Sequence, residues 1–251
     1  MPSTSETKIN ATLLSDGTAS PTEDPHARDD EFYIDVDQLS VFQVEGRLFK
    51  VHRHFLIENS TVFRDMFALP PSTSGVIEGD SDGHPIHLAG VTIDEFKSLM
   101  KVIYRSHRPN FVLSQAEWIA VLSISHRFEF KAIHERAVQI LRTPPSEHEV
   151  APLLVAAEQY GVGFADIIDA LKIVVERKTP LSEYELQGMS TGLISRIMKA
   201  RETFRLIPTS AFCARCSRVA NSASHDAVSI VHSTWDIPIP APKPDDSIYI
   251  S

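Results

Sequence analysis

The chain has 251 residues, of which 43% are apolar and 23% charged, and this composition is typical of a globular domain with additions. Its formal net charge of −9 disfavours general binding to nucleic acid, because an acidic surface repels the phosphate backbone. The first residues lack the basic and apolar pattern of a secretory signal, no run of about 18 apolar residues occurs, and the two cysteines do not form a disulfide framework. We therefore expect a protein of the cytoplasm or nucleus without a membrane span.

The N-terminal segment is rich in Ser, Thr, Asp and Glu and poor in large apolar residues. Such a segment cannot bury enough apolar surface to offset its ordering entropy, so we predict that residues 1–31 are disordered. Alternating residues then predict a β-hairpin over 39–52, with Gly46 taking positive φ in its turn. Two short helices are predicted over 54–67, and a short strand at 86–88 follows a polar loop.

The rest of the chain is predicted to be mainly helical. Four capping boxes place a Ser or Thr three positions before a Glu, so that hydroxyl and carboxylate can cap the first turn of a helix reciprocally. The boxes start at Thr92, Ser114, Ser146 and Ser182. Further helices are predicted near 131–142, 163–177 and 190–206, whereas the prolines between 238 and 244 predict an extended, largely disordered tail over 221–251.

The hairpin and the two short helices also carry a family pattern. It consists of an Asp before the first strand, a Phe-x-x-His-Arg run, a Leu, and a Ser-x-x-Phe-x-x-Met-Phe run. Its residues here are Asp37, Phe49, His52, Arg53, Leu56, Ser60, Phe63, Met66 and Phe67. The pattern resembles the signature of the BTB/POZ family, and the long polar loop after Phe67 resembles the fungal branch of that family.

The resemblance implies an α+β fold over residues 32–142, in which a small three-stranded sheet is flanked by helices. A helical, BACK-like extension would then occupy 143–207, and a tail with a cysteine pair and prolines would occupy 208–251. The resemblance also implies that His52 is structural, buried and hydrogen-bonded to the backbone. A metal or catalytic histidine is the alternative, although no second ligand follows it at helical spacing.

Protein recognition, without an enzymatic activity or a cofactor, is the function that the resemblance implies. Family members commonly dimerise, many are substrate adaptors of cullin-type ubiquitin ligases, and others act in transcriptional repression. Cullin adaptors often carry an apolar-x-Glu triplet before the third strand, which Val76, Ile77 and Glu78 match; a solvated loop is the alternative. Homodimers in the family often use an apolar N-terminal extension, and the polar segment here leaves homodimerisation open.

One chemical motif lies near the C-terminus. The spacing of Cys213 and Cys216 allows both thiolates to bind one Zn²⁺, and His225 and His232 are the next candidate ligands. The eight residues between Cys216 and His225 are fewer than in common zinc fingers, so a free cysteine pair is the alternative. We therefore expect a BTB-type adaptor or scaffold, the alternatives being a transcription- or chromatin-associated protein and a C-terminal zinc-binding module.

Overall fold

The computed structural model describes residues 38–70, 77–142, 146, 149–206 and 223–239. Strands β1 (Leu39–Val44) and β2 (Arg47–His52) form the predicted antiparallel hairpin, in which Phe42 lies opposite Phe49. Its turn has φ of 45° at Glu45 and 77° at Gly46, and positive φ at both central positions suits the right-handed twist of the strands. Strand β3 (Ile86–His87) pairs parallel with β1, which gives a three-stranded sheet of order β2-β1-β3.

Helices flank this sheet and continue beyond it. Those of the first half are α1 (Arg53–Asn59), α2 (Thr61–Ala68), α3 (Ile93–Arg105), α4 (Gln115–Arg127) and α5 (Lys131–Leu141). Those of the second half are α6 (Val150–Gln159), α7 (Ile168–Glu176, preceded by a 3₁₀ turn at Phe164–Ile167), α8 (Glu183–Leu186), α9 (Thr191–Leu206) and α10 (Ala223–Thr234). The predicted α+β class is confirmed, and no helix of the described residues is long and apolar enough to cross a membrane.

Aromatic side chains hold the sheet to the helices. Phe42 of β1 is fully buried, and its ring centroid lies 5.8 Å from that of Phe63 on α2 and 5.9 Å from that of Phe96 on α3. The same hydrophobic cluster extends without a break into the second half, through Leu154 on α6 and Leu171 on α7. The helices that follow residue 142 therefore share one core with the sheet.

Three of the four predicted capping boxes are confirmed. Thr92, Ser114 and Ser182 each accept a hydrogen bond from the N–H of the Glu three residues later, whose carboxylate bonds back. The box at Ser146 is wrong, because α6 begins only at Val150 and Glu149 stands at its N-cap without a side-chain cap. Ser146 instead donates its hydroxyl hydrogen to the Glu149 carboxylate, at 2.7 Å.

The prediction of a disordered tail over 221–251 is wrong for the residues that form α10. This helix packs against α7 and α9. Ala227 and Val231 are fully buried, and Trp235 beyond its end is 8% exposed, with its ring centroid 6.2 Å from that of Phe164. These residues recur at i, i+4 and i+8, which is one face of a helix, but the surrounding Ser and His and the following prolines hid that period.

Candidate interaction site

Ile77 and Glu78 occupy a tight turn before β3, and both side chains are exposed, with Ile77 at 52%. The turn is fixed by backbone hydrogen bonds. The N–H of Gly79 donates to the carbonyl of His84 at 2.6 Å, and the carbonyl of Gly79 accepts from the N–H of Val41 at 2.7 Å. The turn therefore presents an apolar side chain beside a carboxylate on a backbone anchored to β1. Val76, the first residue of the predicted triplet, lies outside the described residues.

Gly79 sets the path of this turn. Its φ of +82° lies in the left-handed region, which other residues adopt only with strain. A Cβ at this position would lie 2.7 Å from Cδ1 of Ile86, closer than real Cβ atoms come to a neighbour. Any other residue would strain the backbone and push the Ile86 side chain aside, so glycine is favoured at this position.

Arg53 connects three parts of the structure around the turn. Its side chain donates to Oγ of Ser40 at 2.7 Å and to Oε1 of Gln38 at 2.8 Å, both at the start of β1. Its guanidinium carbon lies 4.5 Å from the ring centroid of Phe67 at the end of α2, which is a cation–π geometry. Partial burial lowers the pKa of Arg53, and the charge of Asp80, beyond Glu78, acts in the opposite direction. Arg53 thus links the start of β1 to the end of α2, close enough to Asp80 to feel its charge.

His52 ends β2 and is half-buried, less than the resemblance implies. Its Nδ1 lies 2.8 Å from the hydroxyl of Tyr104 on α3, and its backbone N–H donates to the same hydroxyl at 2.9 Å. A side-chain hydroxyl is therefore one of its partners, and the hydrogen bond to the backbone that the resemblance implies stays a prediction. This contact ties the end of the hairpin to α3.

Most of the remaining signature residues lie in the first two helices or at the cap between them, while Phe49 lies on β2. The hydroxyl oxygen of Ser60 accepts from the N–H of Phe63 at 3.1 Å, as predicted for a cap, and its hydrogen is donated to the carbonyl of Phe128 at 2.5 Å. Leu56 and Phe63 are buried. Met66 and Phe67 are partly buried against the core, and Asp37 lies outside the described residues. These contacts hold the fold and do not converge on a reaction centre.

The zinc candidates are only partly described. Cys213, Cys216 and the side chain of His225 lie outside the described residues. His232, on α10, is 7% exposed, and its Nδ1 lies 2.9 Å from the carbonyl oxygen of Ile237. Within the described part of the chain, no three His, Cys, Asp or Glu side chains come close enough to hold a metal ion. A zinc site involving the cysteine pair stays a prediction.

A buried ion pair in the second half was not predicted. Arg177 and Glu185 form a two-point contact, and their side chains are only 8% and 12% exposed. The hydrogen bond from Arg177, with a second from the N–H of Ser182, lowers the pKa of Glu185 to about 2. The capping box predicts that Glu185 bonds to Ser182. No sequence pattern predicts that it pairs with Arg177, which lies at the end of α7. The pair lines a groove of about 700 Å³ between α4, α6 and α8.

Residues 26–145 match the BTB/POZ domain family, and no curated protein matches the chain. The matched range contains the sheet and helices α1 to α5, so this part of the chain has the fold of a BTB/POZ domain, and a helical C-terminal region follows it. A BTB/POZ domain is generally a protein–protein interaction module and typically not an enzyme. The fungal branch and the BACK-like character of the extension stay predictions.

Proposed function

We propose that this BTB/POZ-containing chain is an adaptor of the cytoplasm or nucleus that links a cullin-type ubiquitin ligase to a substrate protein. The single observation that supports the ligase contact is the exposed pair of Ile77 and Glu78 on its anchored turn. The pair also carries two of the three residues of the apolar-x-Glu triplet that the family resemblance singles out. No cofactor is part of the proposal.

The chemistry of the pair suits a protein contact. Ile77 is 52% exposed, and burial of this exposed part against a partner contributes about 1 kcal/mol to binding. The carboxylate of Glu78 adds orientation, since a charge at the edge of an interface selects among partners more than it adds affinity. Because Gly79 already anchors the turn to β1, little backbone ordering entropy remains to be lost on binding.

The test is an affinity pull-down from native cell extract with mass spectrometry, comparing the intact chain with Glu78→Ala. Glu202→Ala is the matched control, because Glu202 is also exposed but lies on α9, far along the chain from the turn. We expect a cullin with the intact chain and with Glu202→Ala, and none with Glu78→Ala. Absence of a cullin from all three samples would contradict the ligase proposal.

A further inference from the structure

The stretch around the end of α3 is basic within an acidic chain. Residues 97–116 contain no Asp or Glu, although the whole chain has a net charge of −9. The basic residues of this stretch are Lys97, Lys101, Arg105 and Arg108. Such a local excess of positive charge produces an attractive field for anions that the net charge does not reveal.

The structure folds this stretch into a groove. Helix α3 ends at Arg105, and the following loop turns back through hydrogen bonds from the N–H of Arg108 to the carbonyl of Arg105, at 3.0 Å, and from the N–H of Phe111 to the carbonyl of Arg108, at 3.1 Å. Between helix and loop lies a groove of about 510 Å³. We name it the basic groove; its lining includes Lys101, Arg105, Arg108, Phe111, Val112 and Leu113.

Two cations of the basic groove have no acidic partner among the residues that the structure describes. Lys101 is paired with Glu117, their Nζ and Oε1 atoms lying 2.5 Å apart. Arg105 and Arg108 are exposed, and neither forms an ion pair with any residue in the part of the chain that the structure describes. Two guanidinium groups are thus available for carboxylates, which they can bind through two parallel hydrogen bonds each.

The other wall of the basic groove is apolar. Val112 is 85% exposed, while its neighbour Leu113 is buried. Phe111 packs edge-on against the buried Trp118, with ring centroids 6.4 Å apart. The packing of Phe111 on Trp118 therefore holds the loop that carries Val112. The exposed valine lies next to the two arginines, where an apolar side chain of a ligand could cover it.

We propose that the basic groove binds an acidic peptide segment of a partner protein, in which Asp or Glu residues flank an apolar side chain. The carboxylates would engage Arg105 and Arg108, and the apolar side chain would cover Val112. Nucleic acid fits less well, because the chain as a whole repels phosphates and an exposed valine contributes nothing to binding them. The proposal does not depend on Ile77 and Glu78.

The test measures binding of a fluorescein-labelled peptide, with two leucines flanked by glutamates, to the full chain by fluorescence anisotropy. We expect Arg105→Ala/Arg108→Ala to bind about tenfold more weakly, a loss of the size that removal of two partly exposed charges produces. Val112→Ser should weaken binding about threefold, which corresponds to the lost apolar contact. The same peptide with glutamines for glutamates should bind the intact chain about tenfold more weakly.

The matched control is Arg196→Ala/Lys199→Ala, which removes two exposed cations from α9 and should leave peptide binding unchanged. Thermal melting of each variant checks that it is folded. Absence of peptide binding to the intact chain, or equal binding by the Arg105/Arg108 variant, would overturn the proposal. Tighter binding of a labelled oligothymidylate than of the acidic peptide would also overturn it, because the basic groove would then recognise phosphates.

Discussion

The hydroxyl of Tyr104 lies 2.8 Å from Nδ1 of His52 and accepts the backbone N–H of that residue at 2.9 Å. One side chain on α3 therefore holds the end of β2 at two points. The ring of Tyr104 also packs against Phe55 of α1, with centroids 5.3 Å apart. The start of α1, where Arg53 lies, is therefore positioned through this junction.

Removal of this hydroxyl should loosen the junction. We expect Tyr104→Phe to lower the free energy of unfolding by about 1–2 kcal/mol, because a half-buried N–H and an imidazole nitrogen lose a partner while the ring packing stays. Urea denaturation measures the change. Tyr184→Phe is the control, since that side chain is 81% exposed and its hydroxyl is solvated. Equal losses in the two variants would contradict the role given to Tyr104.

Gly79 should be the least replaceable residue of the turn that carries Ile77 and Glu78. We expect Gly79→Ala to lower the free energy of unfolding by about 2 kcal/mol or more, because a Cβ meets Ile86 and the positive φ becomes strained. Urea denaturation again measures this change. Gly83→Ala is the matched control, as the nearest atom to its Cβ would be 4.0 Å away, and it should change stability by less than about 0.5 kcal/mol. A mild effect at both positions would show that the turn can adjust.

The ion pair of Arg177 and Glu185 should make stability depend on pH in the acid range. Folding lowers the pKa of Glu185 from 4.5 to about 2, so the folded state favours the ionised carboxylate. Its contribution to stability is therefore complete above pH 4.5 and is lost as the pH falls towards about 2. We expect the melting temperature of Glu185→Gln to lie below that of the intact chain at neutral pH, and the gap to shrink over this range.

Glu183→Gln is the control for this pH dependence, because Glu183 lies on the same short helix with an exposed side chain. Its melting temperature should follow that of the intact chain at every pH. A gap between Glu185→Gln and the intact chain that stays constant from neutral pH to about pH 2 would contradict the lowered pKa of Glu185.

Helix α10 should contribute to the stability of the whole fold. Val231 is fully buried on α10, a helix that packs against α7 and α9, so we expect Val231→Ala to lower the free energy of unfolding by about 1–3 kcal/mol. Ile239→Ala is the control, since that side chain is 73% exposed, and should have little effect. Urea denaturation distinguishes the two results. No loss with Val231→Ala would mean that α10 does not belong to the core.

Features set by neighbouring residues were predictable from the sequence. The hairpin depends on a two-residue turn at Gly46, and three helix starts depend on a Ser or Thr bonding a residue three positions on. The box at Ser146 shows the limit of this reasoning, because its residues bond each other before the helix has begun. A local pattern fixes which groups can meet but not where the helix starts.

Contacts between distant elements could not be predicted in this way. No sequence rule joins His52 to Tyr104, or Arg53 to Phe67 and Asp80, because these pairs meet only when sheet and helices pack. The same holds for the basic groove. Its basic residues were visible in the sequence, but their position beside the exposed Val112 was not. Helix α10 was missed for a different reason, namely that polar residues and prolines obscured its apolar stripe.

The proposed contact of Ile77 and Glu78 with a cullin is tested most directly by titrating a purified cullin into the purified chain in a calorimeter. Ile77→Ser and Glu78→Ala are the variants, and Glu202→Ala is the control. The adaptor proposal predicts binding by the intact chain and the control, and affinities at least about tenfold weaker for both variants with unchanged melting temperatures. No binding by the intact chain, or equal binding by all four proteins, would contradict it.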